Sequence, residues 1–244
     1  VRYWSARNFG SSSRGVVLRL LAVIPARGGS KSIPRKNIKP FAGKPLLSWT
    51  IDAALKVSKI SRVIVSTDDI EISQIARRHG AEVPFLRPSE LAQDQTAGVY
   101  SLLHALEQLP DFDGVLLLQP TSPLRTADDI AGLIDLALES GSDSIVSVSK
   151  VNKHPFWMYT IQADKSLHPF CNGGDAVNRR QDLPDVYSLN GAIYFVRSSW
   201  VLEKKTLIGQ NTLGYVMPEE RSIDIDTMFD WRVAEIMLDK DHEQ

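Results

Sequence analysis

Short apolar runs alternate with stretches of helical period along most of this chain, and that alternation limits the folds open to it. The runs Leu20–Pro25, Arg62–Thr67, Glu82–Leu86, Val115–Gln119 and Ser144–Val148 read as strands. Leu46–Val57, Asp69–His79, Ala97–Leu109 and Ala127–Glu139 read as the helices between them. In the last of these, Ile130, Leu133, Ile134, Ala137 and Leu138 fall on one apolar stripe. Strands that are apolar on both faces need helices on both faces, so the expectation is a three-layer α/β/α domain on a mostly parallel sheet. Ligands on such sheets bind beyond the carboxyl ends of the strands, which is where the unusual residues of this chain lie.

The chain has 244 residues, enough for one α/β domain with an embellishment. The domain is expected over residues 16–244, after a polar, Ser- and Arg-rich leader at 1–15. That leader reads either as a disordered extension or, less well, as a transit peptide of poor amphipathy. A formal net charge of -1 argues against nucleic acid as a partner. No apolar run approaches the ~18–20 residues that span a bilayer. The single cysteine, Cys171, rules out an intramolecular disulfide framework and fits a reducing, cytoplasmic setting. The histidines are scattered without metal-ligand spacing and read as surface or capping residues.

Between Val151 and Leu189 the periodicity fails. His154-Pro155, Phe156, Trp157, Tyr159, Pro169 and Pro184 suggest an excursion from the sheet that packs on the parent domain or a second subunit. Strand character returns at Gly191–Val196 and Leu213–Met217, with helices at Ser198–Lys204 and Thr227–Leu238.

The first run empties into Ala26-Arg-Gly-Gly-Ser-Lys31, a loop that carries Arg27, Lys31, Arg35, Lys36, Lys39 and Lys44, with no acid between Ile24 and Ile51. Gly28 and Gly29 let backbone approach phosphate oxygens, Ser30 adds a hydroxyl, Lys31 and Lys36 can neutralise phosphates, and Arg27 can clamp one bidentately. The plain alternative is a solvated basic loop, which mutual repulsion disfavours. Neither a P-loop nor a dinucleotide fingerprint is present. Near the end, Ser222-Ile-Asp-Ile-Asp-Thr227 puts Asp224 and Asp226 on one side of an extended segment. They either hold a hard divalent cation or one of them caps the final helix, and a polyphosphate loop in the same chain favours the metal. Gln119, at the head of Gln119-Pro-Thr-Ser-Pro-Leu-Arg125, reads equally as a ligand contact or as part of a stiff turn. Arg87 reads a base carbonyl or pairs with Glu90 or Asp94, and Thr96 caps the next helix.

Taken in order, IPARGGSKSIPRKN, STDD, RPSELAQD, LLQPTSPLR, RRQDLP, NGAIYF and SIDIDT strongly resemble the nonulosonic acid cytidylyltransferases, the CMP-sialic acid synthetases, over Ala22 to Leu238. The resemblance implies a nucleotide-diphospho-sugar-transferase-like (Rossmann-like) fold. It also implies transfer of CMP from CTP to a 2-keto sugar acid, with release of pyrophosphate, in a homodimer using Mg²⁺. Under it, Arg27 and Lys31 are catalytic. Ala26, Gly28, Gly29, Ser30, Lys36, Asn37, Arg87, Asp94 and Thr96 bind CTP. Gln119, Trp157, Arg179, Arg180 and Asn190 meet the sugar, Asp224 and Asp226 carry the metal, and 151–189 is a dimerisation arm. No protein general base is evident. The chain departs from the N-acetylneuraminate branch where Trp157 and Ser188 replace basic residues. This favours a less polar sugar of the legionaminic type, unless Trp157 only packs within the arm.

Overall fold

The computed structural model describes residues 18–93, 95, 97–171, 179 and 183–241, excepting the side chains of 239–241. The leader, Asp94, Thr96 and Arg180 therefore lie outside the described residues. In chain order the elements are β1 (Leu20–Pro25), β2 (Pro40–Phe41), β3 (Lys44–Pro45), α1 (Leu46–Leu55), β4 (Arg62–Ser66), α2 (Ile70–Arg78), α3 (Val99–Gln108), β5 (Gly114–Leu118) and α4 (Ala127–Ser140). They continue with β6 (Ser144–Lys150), β7 (Tyr159–Ile161), β8 (Leu167–Pro169), β9 (Tyr187–Arg197), α5 (Ser198–Lys204), β10 (Leu213–Val216) and α6 (Met228–Asp241).

One sheet runs in the order β10-β6-β9-β5-β1-β4. Alternation along its central strands sorts the core into two layers. Leu20, Ala22 and Ile24 of β1 join Leu116 and Leu118 of β5 against the apolar sides of α1, α2 and α4. Leu21, Val23, Val115 and Leu117 face α3 and α5 instead. A third cluster packs Trp231, Ala234 and Leu238 of α6 onto Ile33 and Phe41 of the basic loop and its hairpin and onto Leu46 at the start of α1, and buries Ile225. Phe41 sits edge-on to both Trp49 and Trp231, with ring centroids 6.1 and 5.4 Å apart. This third cluster fixes the segment that follows β1 against α6.

One expectation needs correction. Glu82–Leu86 is no strand: only Glu82 bridges to Ile64, because Pro84 has no N–H to carry the ladder on. The sheet is mostly parallel as expected, with one strand reversed: β9, between β5 and β6, runs antiparallel to both. Parallel pairing needs a crossover to the opposite end of the sheet. The excursion after β6 supplies none; it forms a short 3-10 turn at Pro155–Trp157 and the hairpin β7–β8, and the chain re-enters from the end it left. The register of β6 against β9 shifts between Val146 and Val148, and Gly191 takes φ +73°, a conformation that favours glycine.

Helix α4 begins with a reciprocal capping box between Thr126 and Asp129. The buried Asp129 carboxylate also accepts two 2.9 Å bonds from Arg221, which ties the segment leading to Asp224 onto α4. Burial alone would push the Asp129 carboxyl up, but the Arg221 fork and the Thr126 bonds outweigh it and hold it below the usual carboxylate range. A depressed carboxyl contributes stability that is present above the unfolded-state value, about pH 4, and is lost as pH falls through the folded value. Asp129→Asn is therefore expected to lower Tm near neutrality and to flatten its fall below about pH 4 relative to wild type. Parallel acid limbs in thermal melts of the two proteins would contradict this.

Candidate active site

A cavity of about 350 Å³ opens beyond the carboxyl ends of the parallel neighbours β1 and β5, as the parallel part of the sheet predicts. Arg27, Ser30, Lys36 and Asn37 line it from the basic loop, Arg87 and Ser101 from beyond β4 and from α3, and Gln119 and Thr121 from the end of β5. Asp224 and Asp226 close it from the segment before α6.

The six cations of the loop divide in two. Arg35, in the left-handed region at φ +56°, pairs with Asp69 and Glu71 at the start of α2. Lys44 pairs with Asp52 and lies 3.8 Å from the Trp49 ring centroid, and Lys39 lies 5.8 Å from that of Trp231. The acids missing from the loop's own sequence thus come from elsewhere, and these three cations build structure. Lys36 Nζ donates to the Ile225 carbonyl at 2.8 Å and to Asp226 Oδ1 at 3.3 Å, so it spans the basic loop and the carboxylate segment. Lys31 is exposed and is not among the residues lining the cavity. Ala26 is buried, its N–H donating to the Ser66 carbonyl, and Gly29 is exposed. Asn37 donates to the Arg27 carbonyl at 3.0 Å and so braces the loop as well as lining the cavity.

Arg87 does not pair with Glu90. Only 5% exposed, it donates to Ser101 Oγ at 2.6 Å, and its Nε has no partner. Burial pushes its guanidinium down, Asp68 opposes that, and the charge of Arg27 adds to it. The backbone of Gln119 is set by Arg125, whose fully buried guanidinium donates to the Gln119 and Ala192 carbonyls at 3.2 and 2.7 Å and to Thr50 Oγ1 at 2.7 Å. Burial brings Arg125 down to about 9, which leaves it charged at neutral pH.

Asp224 sits where a charge is disfavoured. Burial pushes its carboxyl up, the Thr121 hydroxyl opposes this, and Asp226 raises it further. Its Oδ1 is buried without a hydrogen-bond partner, and a Cβ on Gly191 would come within 3.3 Å of its Oδ2. Neither aspartate is engaged as the cap of α6. Asp230 accepts from Thr227 N and Oγ1 at 2.7 and 2.8 Å, and Thr227 Oγ1 accepts from Asp230 N. Two carboxylates on one cavity, one with an orphaned oxygen, suit a hard divalent cation that takes its other ligands from phosphate and water. Among the described residues, no group of three or more His, Cys, Asp or Glu forms a metal cage by itself.

The structure places Asn190 differently from the expectation. It is 5% exposed and absent from the cavity lining. Its Oδ1 accepts from Ser147 Oγ and Ala192 N, and its Nδ2 donates to Ser222 Oγ at 2.9 Å. It braces the segment before Asp224 from within. Trp157 and Arg179 lie in the excursion, exposed and away from the cavity lining. Sequence reasoning missed Ser101, Thr121, Gly191 and the hub role of Arg125. PTSPLR and NGAIYF marked the regions of Thr121, Arg125 and Gly191 without disclosing what their side chains or backbone hold.

Residues 21–214 match the model of the cytidylyltransferase family. The chain is 35% identical to the CMP-N,N'-diacetyllegionaminic acid synthase of Legionella pneumophila, over 93% of this chain and 99% of that protein. It is 36% identical to the N-acylneuraminate cytidylyltransferase of Escherichia coli, over 93% of this chain but only 54% of that longer protein. The fold matches a solved CMP-2-keto-3-deoxy-manno-octonic acid synthetase with a TM-score of 0.71 at 16% identity, covering 91% of this chain and 99% of that one. The chain therefore belongs to the cytidylyltransferase family, as a nucleotidyltransferase of the acylneuraminate kind. No helix among the described residues is long and apolar enough to cross a membrane.

Proposed function

We propose that the chain transfers CMP from CTP to the anomeric hydroxyl of a nine-carbon 2-keto sugar acid of the diacetyllegionaminic type, releasing pyrophosphate. The observation that carries this reading is one cavity in which Arg27, Ser30 and Lys36 face Asp224 and Asp226, with Arg87 buried at one wall. Arg27, Ser30 and Lys36 take the triphosphate, with Lys31 reaching in from the rim. Arg87, with Asp94 and Thr96, takes the cytosine. Gln119 orients the sugar, and Asn190 acts on it only through the segment it braces. In-line displacement at the α-phosphorus needs alignment and charge neutralisation more than covalent help. Lys36 is suited to both, since its ammonium is already held against the carboxylate segment. Asp224 and Asp226 would hold Mg²⁺, which when bound supplies neutralisation of phosphate charge.

The choice of sugar rests on Trp157 and Ser188, neutral where the N-acetylneuraminate branch carries cations, and on similarity along 99% of the legionaminic relative. An acylated deoxy sugar suits an aromatic wall. In a pyrophosphate-release assay with CTP and Mg²⁺, diacetyllegionaminate is expected to give a kcat/KM at least about tenfold above N-acetylneuraminate, a ~1.4 kcal/mol preference. The reverse order would move the chain to the N-acetylneuraminate reading, which the 36% identity to the Escherichia coli relative supports.

The second element of the proposal is a homodimer. Ile161, Leu167 and Phe170 on the β7–β8 hairpin are 72%, 61% and 67% exposed, and Trp157, Met158 and Tyr159 extend the apolar surface beside them. A contiguous apolar surface of this kind favours burial against another protein surface. A second copy seated there would bring Arg179 and Arg180 toward a site at the subunit junction. Light scattering is expected to give twice 27.1 kDa for the wild type and a monomer mass for Ile161→Asp/Phe170→Asp. A monomeric wild type would remove the dimer from the proposal.

A further inference from the structure

The end of β4 carries Ser66-Thr-Asp-Asp69, and the reaction outlined above uses none of it. Five contacts make this stretch the platform on which the cavity stands. The Ala26 N–H donates to the Ser66 carbonyl at 3.0 Å, and the Arg87 N–H to the Thr67 carbonyl at 2.7 Å. The Gly28 N–H donates to Asp68 Oδ1 at 3.1 Å. Asp69 caps α2 through Ile72 N at 3.0 Å and grips Arg35, the far end of the same loop. The fit is close: a Cβ on Gly28 would stand 2.6 Å from Asp69 Oδ2.

This arrangement changes what Gly28 is for. A glycine in a phosphate loop commonly offers its N–H to the anion, but here that N–H already points at a carboxylate. An anion would have to displace Asp68 to reach it, so recognition falls to Arg27, Ser30 and Lys36. The absence of a Cβ serves instead to let the loop backbone lie against Asp69. Asp68 also lies close enough to Arg87 to favour its charged form, against the opposing effect of Arg27. Loop and base-side arginine therefore share one anchor.

We infer that Asp68 is a positioning residue for nucleotide binding: by accepting the Gly28 N–H it sets the loop so that Arg27 and Ser30 face the triphosphate. This rests on the functional reading above. Asp68 itself need not touch the nucleotide.

The test compares Asp68→Ala with Asp68→Asn, whose amide oxygen can still accept from Gly28. Steady-state pyrophosphate release and calorimetric binding of CTP are measured on both and on the wild type. Asp68→Ala is expected to weaken CTP binding and raise the KM for CTP about tenfold, the scale of one lost hydrogen bond to a charged group. The KM for the sugar acid should stay within about twofold, a change too small to report a lost contact. Asp68→Asn should restore most of the loss. Gly28→Ala, which forces the same loop off the same platform, should share the CTP-selective defect. Unchanged CTP affinity in Asp68→Ala, an equal rise in both KM values, or an Asn variant as poor as the Ala variant would each overturn the inference. A wild type that binds no CTP would overturn the functional reading and this inference with it, whereas normal wild-type binding with unshifted variants overturns the inference alone.

Discussion

Asp224→Asn is expected to lower turnover about a thousandfold, roughly 4 kcal/mol of lost transition-state stabilisation, without loss of thermal stability. The two halves of that expectation come from one fact. The Asp224 carboxyl is largely buried, its Oδ1 has no hydrogen-bond partner, and its neighbour Asp226 is a like charge. Burial and the like charge of Asp226 work against the ionised group, and the Thr121 hydroxyl and the Lys36 ammonium offset them only in part, since the carboxyl is still pushed up. Asparagine keeps the shape and removes the charge, so Tm should hold or rise while the anionic oxygen that would hold Mg²⁺ beside the triphosphate is lost. Structure kept at a stability cost is the usual mark of a functional group. Pyrophosphate release across a Mg²⁺ titration, run beside thermal melts, checks both halves. A variant with more than about a tenth of wild-type turnover, a loss under 1.4 kcal/mol, would remove Asp224 from the reacting centre.

Arg125→Ala should do the opposite: unfold more easily first, and lose activity as a consequence. The guanidinium bonds the Gln119 and Ala192 carbonyls and Thr50 Oγ1 in a space closed to solvent. Truncation removes those donors, leaves acceptors without their partner and opens a void, each a recognised route to large destabilisation. Summed, a cost of about 3–5 kcal/mol is expected, which for a chain of this size lowers Tm by about 10 °C. Arg125→Lys should recover little, since one ammonium cannot reproduce a planar fork that serves three acceptors. Melts of both variants against wild type decide it, and an Arg125→Ala protein within about 2 °C of wild type, the effect of under 1 kcal/mol, would show that Gln119 is held by something else.

Much of the architecture was legible from periodicity. Strands apolar on both faces at Leu20–Pro25 and Val115–Leu118 require helices on both sides, and the structure has them. The boundaries of α2 and α4 follow from local signals, with Asp69 and Thr126 as caps. The direction of β9 was not legible, because GAIYFV has the same alternation whichever way it runs and only the route of the preceding excursion settles it. Nor was the failure of Glu82–Leu86 as a strand, although Pro84 was visible.

The chemical kit of the cavity is likewise a property of the sequence: a glycine-containing basic loop after the first strand and two aspartates one residue apart near the end. Which members of the kit face a ligand was decided only in three dimensions. Arg35 is pinned by Asp69, 34 residues away, while Lys36, its neighbour, reaches Ile225 across 189 residues. Asn190, which reads as a sugar contact, is engaged by Ser147 and Ser222 inside the protein. Local sequence sets a residue's chemistry and its face on a strand or helix. Whether a charge is free to meet a substrate or is consumed by structure depends on partners that only the packing of distant segments brings within hydrogen-bond reach.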